Sequence, residues 1–495
     1  MLVKIMFRTL LLVVLCGIVS CSQNDRDTEK RPNILLILAD DLGYGDLRSY
    51  NKNSLTKTPN LDRLAAEGLL LTNAYCPVSV CSPTRFALMT GTYPFRSWKN
   101  KGVMSNYEPS MIARGQLTLP QMLQESGYAT AGFGKWHLGA TFPTLDGKRP
   151  NGYGQFKAID NGANIDLTKQ ISDGPVDHGF ETWFGFSCAS ECWIMEGQNI
   201  VAALLHEFYN IESAQNKEHI QSIPPDQYLE LITDKSIKFI HSQNENVEDN
   251  PFFLYYAPYV PHIPLSVSEK FKGTTEAGFY GDYIYELDMN IGKLLKSLED
   301  TGQSENTIVV FASDNGSQFE MTSTDLDASK VSNSPKDVIK RQNLPNEHYP
   351  NGDLRGTKWS IWEGGVRTPL IAKWPGSIAA GSTSNQIFAL TDIMATISAL
   401  IGYELSENDA IDSQNQLPVL VGKDEIIRNS VVVQSSGNLF ALRKGKWKYI
   451  LRDGGESLGE LYNLEADLSE TENRIGENSE LAEDLKMELL QIIRK

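Results

Sequence analysis

Basic residues are scarce in this 495-residue chain: 45 Lys and Arg face 62 Asp and Glu, for a formal charge of −17. Such a surface repels a phosphate backbone, which argues against general nucleic-acid binding. An anionic ligand must then be drawn in by a local basic pocket, not by the field of the whole molecule. Cysteine is sparse as well. Of six, Cys16 and Cys21 lie in the leader and Cys76, Cys81, Cys188 and Cys192 in the body. Their spacing fits no zinc motif with His partners nearby. Cys188 and Cys192, four apart, could pair or could both stay reduced. No repeat stands out, and no long low-complexity segment follows the leader. The apolar run Thr9–Val19 is too short for a comfortable membrane span.

What is present describes a folded, exported protein. Hydrophobic residues make up 41% and charged residues 22%, as in a soluble body of one large domain and a smaller one. Lys4 and Arg8 open a targeting segment that closes with Ile18-Val19-Ser20-Cys21. This ending resembles a bacterial lipobox, which implies cleavage before Cys21, lipid attachment there and anchoring to the bacterial envelope, in the periplasm or at the cell surface. The alternative is an ordinary secretory signal with an incidental Cys. Ser22–Arg31 is polar and reads as a tether. The expected organisation is a signal over 1–20, a tether over 21–31, a catalytic domain over 32–405 and an α+β subdomain over 406–495.

Short apolar runs alternate with helical stretches, the pattern of an α/β domain with a large, mostly parallel sheet sandwiched by helices. Asn33–Leu38, Tyr128–Phe133, Phe252–Tyr256 and Thr307–Ala312 read as strands. Thr58–Gly68, Leu119–Gly127, Gly281–Leu298 and Asp392–Ile401 read as helices. Beyond about residue 405, short β-prone runs at Ser430–Gln434, Leu439–Arg443 and Trp447–Leu451 precede an amphipathic helix over Glu477–Lys495. They predict a smaller antiparallel sheet plus helix, with a hairpin around Lys444-Gly445-Lys446. The polar stretch Glu320–Asn351 reads as a long loop.

Ligands of parallel sheets bind beyond the carboxyl ends of the strands. The first strand runs into Asp40-Asp41, and Thr307–Ala312 runs into Ser313-Asp314-Asn315-Gly316. Alone, Asp40-Asp41 reads as readily as a strand-end turn or helix cap as it does as a metal pair. Together, three carboxylates and one amide form an all-oxygen set for a hard cation, calcium before magnesium. Zinc is disfavoured, since no His-rich cluster accompanies the acids. Cys81 opens the run Cys81-Ser82-Pro83-Thr84-Arg85, ahead of a helix whose N-terminal amides could stabilise an anion. Arg85, four residues on, can reach back about one turn. The bland reading of Cys81 is a buried thiol, and Lys135 or His137 alone reads as an ordinary surface or packed residue.

The run CSPTR followed by Thr90-Gly91 resembles the type I sulfatase signature, C-x-P-x-R followed by T-G. The resemblance continues in order through NILLILADDLGYG (33–45), GFGKWHLG (132–139), DHGF (177–180), APYVPHIP (257–264), SDNG (313–316), LRGTKWSIWEGGVRTP (354–369) and ELYNL (460–464). It implies an alkaline phosphatase-like fold and a formylglycine (3-oxoalanine) made from Cys81 by a maturase. It further implies that Asp40, Asp41, Asp314 and Asn315 hold Ca2+ beside the modified Cys81. Arg85 and Lys135 are then expected to hold formylglycine or sulfate oxygens. His137 becomes the base that breaks down the covalent intermediate, while His262 and Lys358 contact the sulfate and protonate the leaving oxygen. An aldehyde hydrate carries two hydroxyls on one carbon, one to attack sulfur and one to expel sulfate; a serine would be trapped as its ester. Asp177, His178, Glu191 and Trp193 follow the Lys-x-His segment and are candidates for substrate contact. Trp362 and Glu363 read as structural. The resemblance implies a sulfated carbohydrate as substrate. Two rivals remain: a phosphate or phosphonate ester hydrolase of the same superfamily, and a non-catalytic glycan-binding lipoprotein.

Overall fold

The computed structural model describes residues 31–495 other than 99–101, 157, 159, 189–190, 205–214, 246–249, 325–345 and 424. The leader and nearly all of the tether therefore lie outside the described residues, as does most of the Glu320–Asn351 stretch. In chain order the strands are β1 Asn33–Ala39, β2 Leu69–Tyr75, β3 Ala129–Lys135, β4 Thr182–Phe186, β5 Trp193–Glu196, β6 Asn199–Leu204, β7 Gln221–Ile223, β8 Phe252–Ala257, β9 Thr307–Ser313, β10 Leu370–Lys373, β11 Ser382–Ala389, β12 Ser430–Gln434, β13 Phe440–Lys444, β14 Trp447–Ile450 and β15 Glu460–Asn463. The helices are α1 Pro59–Ala66, α2 Cys81–Thr90, α3 Leu119–Glu125, α4 Pro225–Asn244, α5 Gly278–Asp300, α6 Glu363–Val366, α7 Ile393–Ile401, α8 Leu417–Leu420 and α9 Ser479–Arg494.

The first eleven strands form one mixed, mostly parallel sheet in the order β11-β2-β10-β9-β1-β8-β3-β4-β5-β6-β7. Its middle is apolar throughout, as a sheet covered on both faces requires. Each residue of β1, β8 and β9 is buried. Strand β1 pairs in parallel with β9 on one side (Leu35 opposite Val309) and with β8 on the other (Leu35 opposite Leu254). Strand β3 lies parallel to β8. Four neighbouring strands, β9, β1, β8 and β3, thus deliver their carboxyl ends to one edge. Strand β10 runs against β9 and β2, so its amino end, and the loop before it, arrive at that same edge.

The local signals are ordinary ones. Pro59 opens α1 and Pro120 sits in the first turn of α3, where a missing N–H costs nothing. Thr118 caps α3 by accepting from Gln121 N at 3.3 Å. Helix α2 ends at Gly91, whose φ of +64° is the left-handed stop that glycine provides.

The expected second sheet is present: β12 to β15 run antiparallel in sequence order, and Lys444 faces Trp447 across the β13–β14 hairpin. Helix α9 packs on this sheet through Ala482, Leu485 and Leu489, in a cluster with Leu442, Tyr449 and Leu461. Buried ions join the two sheets. Lys448 Nζ lies 3.0 Å from Glu363 Oε1 and 2.8 Å from Glu470 Oε1. Glu363 Oε2 in turn takes Arg367 Nε at 2.8 Å and Tyr75 OH at 2.9 Å. Glu363 is accordingly a structural residue.

Candidate active site

The shared sheet edge collects the charged residues. Asp40 and Asp41 follow β1, Asp314 and Asn315 follow β9, Lys135 ends β3, His262 lies beyond β8, and Lys358 lies in the loop before β10. Cys81 is the first residue of α2, reached from the end of β2. All are at most 4% exposed. One oxygen of Asp40, one of Asp41, Cys81 Sγ and a His262 nitrogen lie within 4.8 Å of one another.

Each carboxylate has a cation. Lys135 Nζ reaches Asp40 Oδ1 at 3.0 Å and Oδ2 at 2.7 Å. Arg85 donates Nε and Nη2 to Asp314 Oδ2 at 3.1 and 2.8 Å, and its Nη1 to the Lys135 carbonyl and Tyr255 OH. Lys358 Nζ lies 2.7 Å from Asp41 Oδ2. Asn315 Nδ2 donates to Asp41 Oδ1 at 2.7 Å, which turns its own Oδ1 into a buried oxygen with no hydrogen-bond partner. Three acids thus face three bases in a space closed to water.

Burial sets the protonation of this group. It raises the Asp41 carboxyl, and with the Asp40 charge it pushes Asp314 up to about 7. Asp40 alone is held well below its ordinary value, because Lys135, His262 and Arg85 together outweigh its burial. Two of three carboxylates are therefore short of positive charge, although Lys358 and Arg85 touch them. An orphaned amide oxygen beside them completes an oxygen-rich donor set that suits a hard divalent cation. The Cys81 thiol is pushed far up by burial, against the pull of Lys135 and Lys358. It is thus a weak source of thiolate.

The two histidines differ in orientation. His137 has φ +58° and is fixed by its Nε2, 3.1 Å from the Met104 carbonyl and 3.5 Å from Cys188 Sγ. A carbonyl only accepts, so Nε2 carries the proton and Nδ1 is the basic nitrogen. That Nδ1 is buried without a hydrogen-bond partner. His262 Nδ1 lies 2.6 Å from the Ile263 carbonyl, and its Nε2 faces Asp41 Oδ2 at 3.7 Å. Burial first, then neighbouring cations, keeps both rings neutral well below the usual His range.

The four residues expected to contact substrate, Asp177, His178, Glu191 and Trp193, make the following local contacts. Asp177 is exposed and accepts from Gly174 N and Gln198 Nε2. His178 is buried, with Nε2 near Ser110 Oγ and Asp173 Oδ1, and its ring stacks on Trp136. Glu191 is buried, accepts from Tyr107 N at 2.5 Å, and is pushed up to about 8 by that burial. Trp193 is buried and donates to Tyr107 OH. Glu191 and Trp193 thus both bind Tyr107. Cys76, Cys81, Cys188 and Cys192 form no disulfide. Sequence reasoning missed Met104, Cys188, Tyr255 and Tyr259. The Tyr259 ring lies 5.2 Å from Lys135 Nζ and 4.5 Å from the His262 ring. Its signals were its place two residues beyond β8 and within the segment 257–264.

Known proteins match this chain along most of its length. The family model described as Sulfatase matches residues 32–403. An N-acetylgalactosamine-6-O-sulfatase of Bacteroides thetaiotaomicron is 30% identical over 95% of this chain and 95% of its own. The N-acetylgalactosamine-6-sulfatase of Homo sapiens is 34% identical over 79% of this chain and 66% of its own. A structure solved in work on the metabolism of multiple glycosaminoglycans by Bacteroides thetaiotaomicron is 29% identical. It matches 94% of this chain and 100% of its own with a TM-score of 0.77. With the buried site described above, these matches place the chain in the sulfatase family, enzymes that hydrolyse sulfuric esters.

Proposed function

We propose that this sulfatase acts through a formylglycine at position 81 with one bound Ca2+, and that its substrate is a sulfated glycosaminoglycan fragment. The observation that carries the reading is the seat of Cys81, at a helix start within 4.8 Å of Asp40, Asp41 and His262. A poorly ionised thiol in that seat makes little chemical sense as a nucleophile, whereas a modified residue does. The names of the relatives make N-acetylgalactosamine 6-sulfate the first substrate to try.

Asp40, Asp41, Asp314 and Asn315 would hold the cation, which would supply positive charge against the sulfate oxygens. The hydrated aldehyde at position 81 would supply two hydroxyls on one carbon, one for attack on sulfur and one for release of sulfate. The chain's own residues do the rest. The acids and bases of the site balance, so a divalent ion leaves a net positive pocket in an acidic protein, as an anionic ester requires. Lys135 and Arg85 line the floor. Lys358 is held in its charged form, since Asp41 and its neighbours outweigh the cost of its burial. It is the proton donor for the leaving oxygen, with His262 beside it. His137, neutral and with Nδ1 open, takes the proton from the hydroxyl that expels sulfate.

The test is a peptide mass across Cys81 together with sulfate release from sulfated sugars. An untouched thiol in active enzyme would sink the formylglycine reading. A preference for aryl phosphate over aryl sulfate by orders of magnitude would favour a phosphate or phosphonate hydrolase instead. The leader carries a separate proposal: export, lipid attachment at Cys21, and display on a bacterial envelope, with a formylglycine-forming maturase as partner. Metabolic labelling with a tagged fatty acid tests the anchor, and label retained in Cys21→Ala would refute it.

A further inference from the structure

Trp359 is the neighbour of Lys358 that the chemistry above leaves unused. Its φ is +73°, in the left-handed region that bulky L side chains avoid. Backbone contacts on both sides hold it there. Trp359 N donates to the Ser79 carbonyl at 2.8 Å, two residues before Cys81. The Trp359 carbonyl accepts from Ser436 N at 3.1 Å and from Ser436 Oγ at 3.3 Å, in the turn between β12 and β13. Nothing in these main-chain bonds calls for an indole. Glycine would occupy the position at lower conformational cost.

The indole nevertheless has a definite place. Its ring centroid lies 5.3 Å from Lys358 Nζ, the nitrogen that contacts Asp41 Oδ2 at 2.7 Å. Lys358 is 2% exposed, while Trp359 is only half-buried. A partly exposed aromatic ring thus adjoins the buried ammonium assigned above as proton donor.

The geometry points to Trp359 as the platform for the leaving group: a pyranose ring lies with its C–H face on the indole while its ester oxygen faces Lys358. The inference rests on the sulfatase reading above and adds a specificity-determining residue to it. An aromatic face carries negative charge density and an apolar surface, which suits the polarised C–H groups of a sugar. It also favours the nearby ammonium. Backbone strain tolerated beside a reaction centre is the kind that function retains.

Matured full-length enzyme would be assayed on N-acetylgalactosamine 6-sulfate, with inorganic sulfate as a competitive inhibitor that reports the anion pocket alone. Trp359→Ala is expected to raise KM for the sugar sulfate roughly tenfold or more, with a smaller fall in kcat. Inhibition by inorganic sulfate is expected to stay within about twofold. Trp359→Phe should recover most of the lost KM. Trp359→Gly should melt no lower than the parent while sharing the Ala defect, which separates a binding role from a structural one. An unchanged KM in Trp359→Ala overturns the inference, as does a parallel loss of sulfate inhibition, or a Gly variant that melts well below the parent. A parent that cleaves phosphate esters and no sulfate ester sinks the underlying reading instead.

Discussion

Lys448 of the small sheet and Glu363, the first residue of α6, form an ion pair at 3.0 Å with neither side chain exposed. A buried pair adds little net stability, but removing one partner strands the other. Glu363→Ala leaves Lys448 and Arg367 without that carboxylate and is expected to cost about 3–5 kcal/mol. Urea unfolding measures it, and a loss below about 1 kcal/mol would mean that water reaches the cluster.

Replacing Cys81 with Ser keeps the shape of the site and denies it the second hydroxyl that the proposed formylglycine hydrate would supply. Turnover should vanish, and the protein should instead gain the mass of one sulfonate when incubated with substrate. Continued turnover, or a clean mass after long incubation, would contradict the proposed chemistry.

If His137 is the base as proposed, His137→Ala should lower kcat about 10²–10⁴-fold with a smaller change in KM. Because burial and then Lys135 and Arg85 depress this ring, its titration in the parent lies below the ordinary His range. The acid limb of the kcat profile should therefore fall below pH 6.5 and not across it. An acid limb well above that point would assign the base elsewhere.

Chelation with EGTA should abolish activity and lower the melting temperature. On the proposed reading the crowded carboxylates of Asp40, Asp41 and Asp314 would lose a bound counter-charge that linkage converts into stability. Calcium should restore both better than magnesium. Full activity after exhaustive chelation would remove the metal from the reading.

Glu191 gives a pH test outside the charged cluster. Its folded carboxyl titrates near 8, against 4.5 for the ordinary side chain, because it is buried. Between those two values the unfolded state ionises while the folded state keeps its proton, so the parent loses stability as pH rises. Above the upper value both states are ionised and the loss stops growing. Glu191→Gln escapes this effect, and its melting temperature relative to the parent should rise by about 2–4 °C between pH 5 and pH 8. A flat difference would show that the carboxyl is already ionised in the fold.

The chemistry was legible because it sits where apolar runs stop. Asp40 and Asp314 stand at the ends of fully buried strands, and a parallel sheet must bring such ends together. Helices were legible through caps and stops, though Leu119–Gly127 ends early at Glu125 and Gly281–Leu298 extends to Gly278–Asp300. Lateral order was not legible. Nothing local says that Leu370–Lys373 inserts antiparallel between β9 and β2, or that Trp193–Leu204 extends the sheet as a hairpin beyond β4. The Lys448–Glu363 pair spans 85 residues, and no pattern within either segment announces the other. The Cys188 contact to His137 was hidden for the same reason.

Asp41, His137 and Trp359 share a left-handed backbone, at φ +65°, +58° and +73°. Each is a place where glycine would relax the chain by about 1 kcal/mol. A directed-evolution campaign scored on heat tolerance alone would be drawn to His137 and Trp359, where on the proposed mechanism its survivors would lose turnover or substrate affinity, whereas glycine at Asp41 would strand the Lys358 ammonium. Robust variants of this enzyme have to be sought in parts of the chain remote from the rim of the pocket.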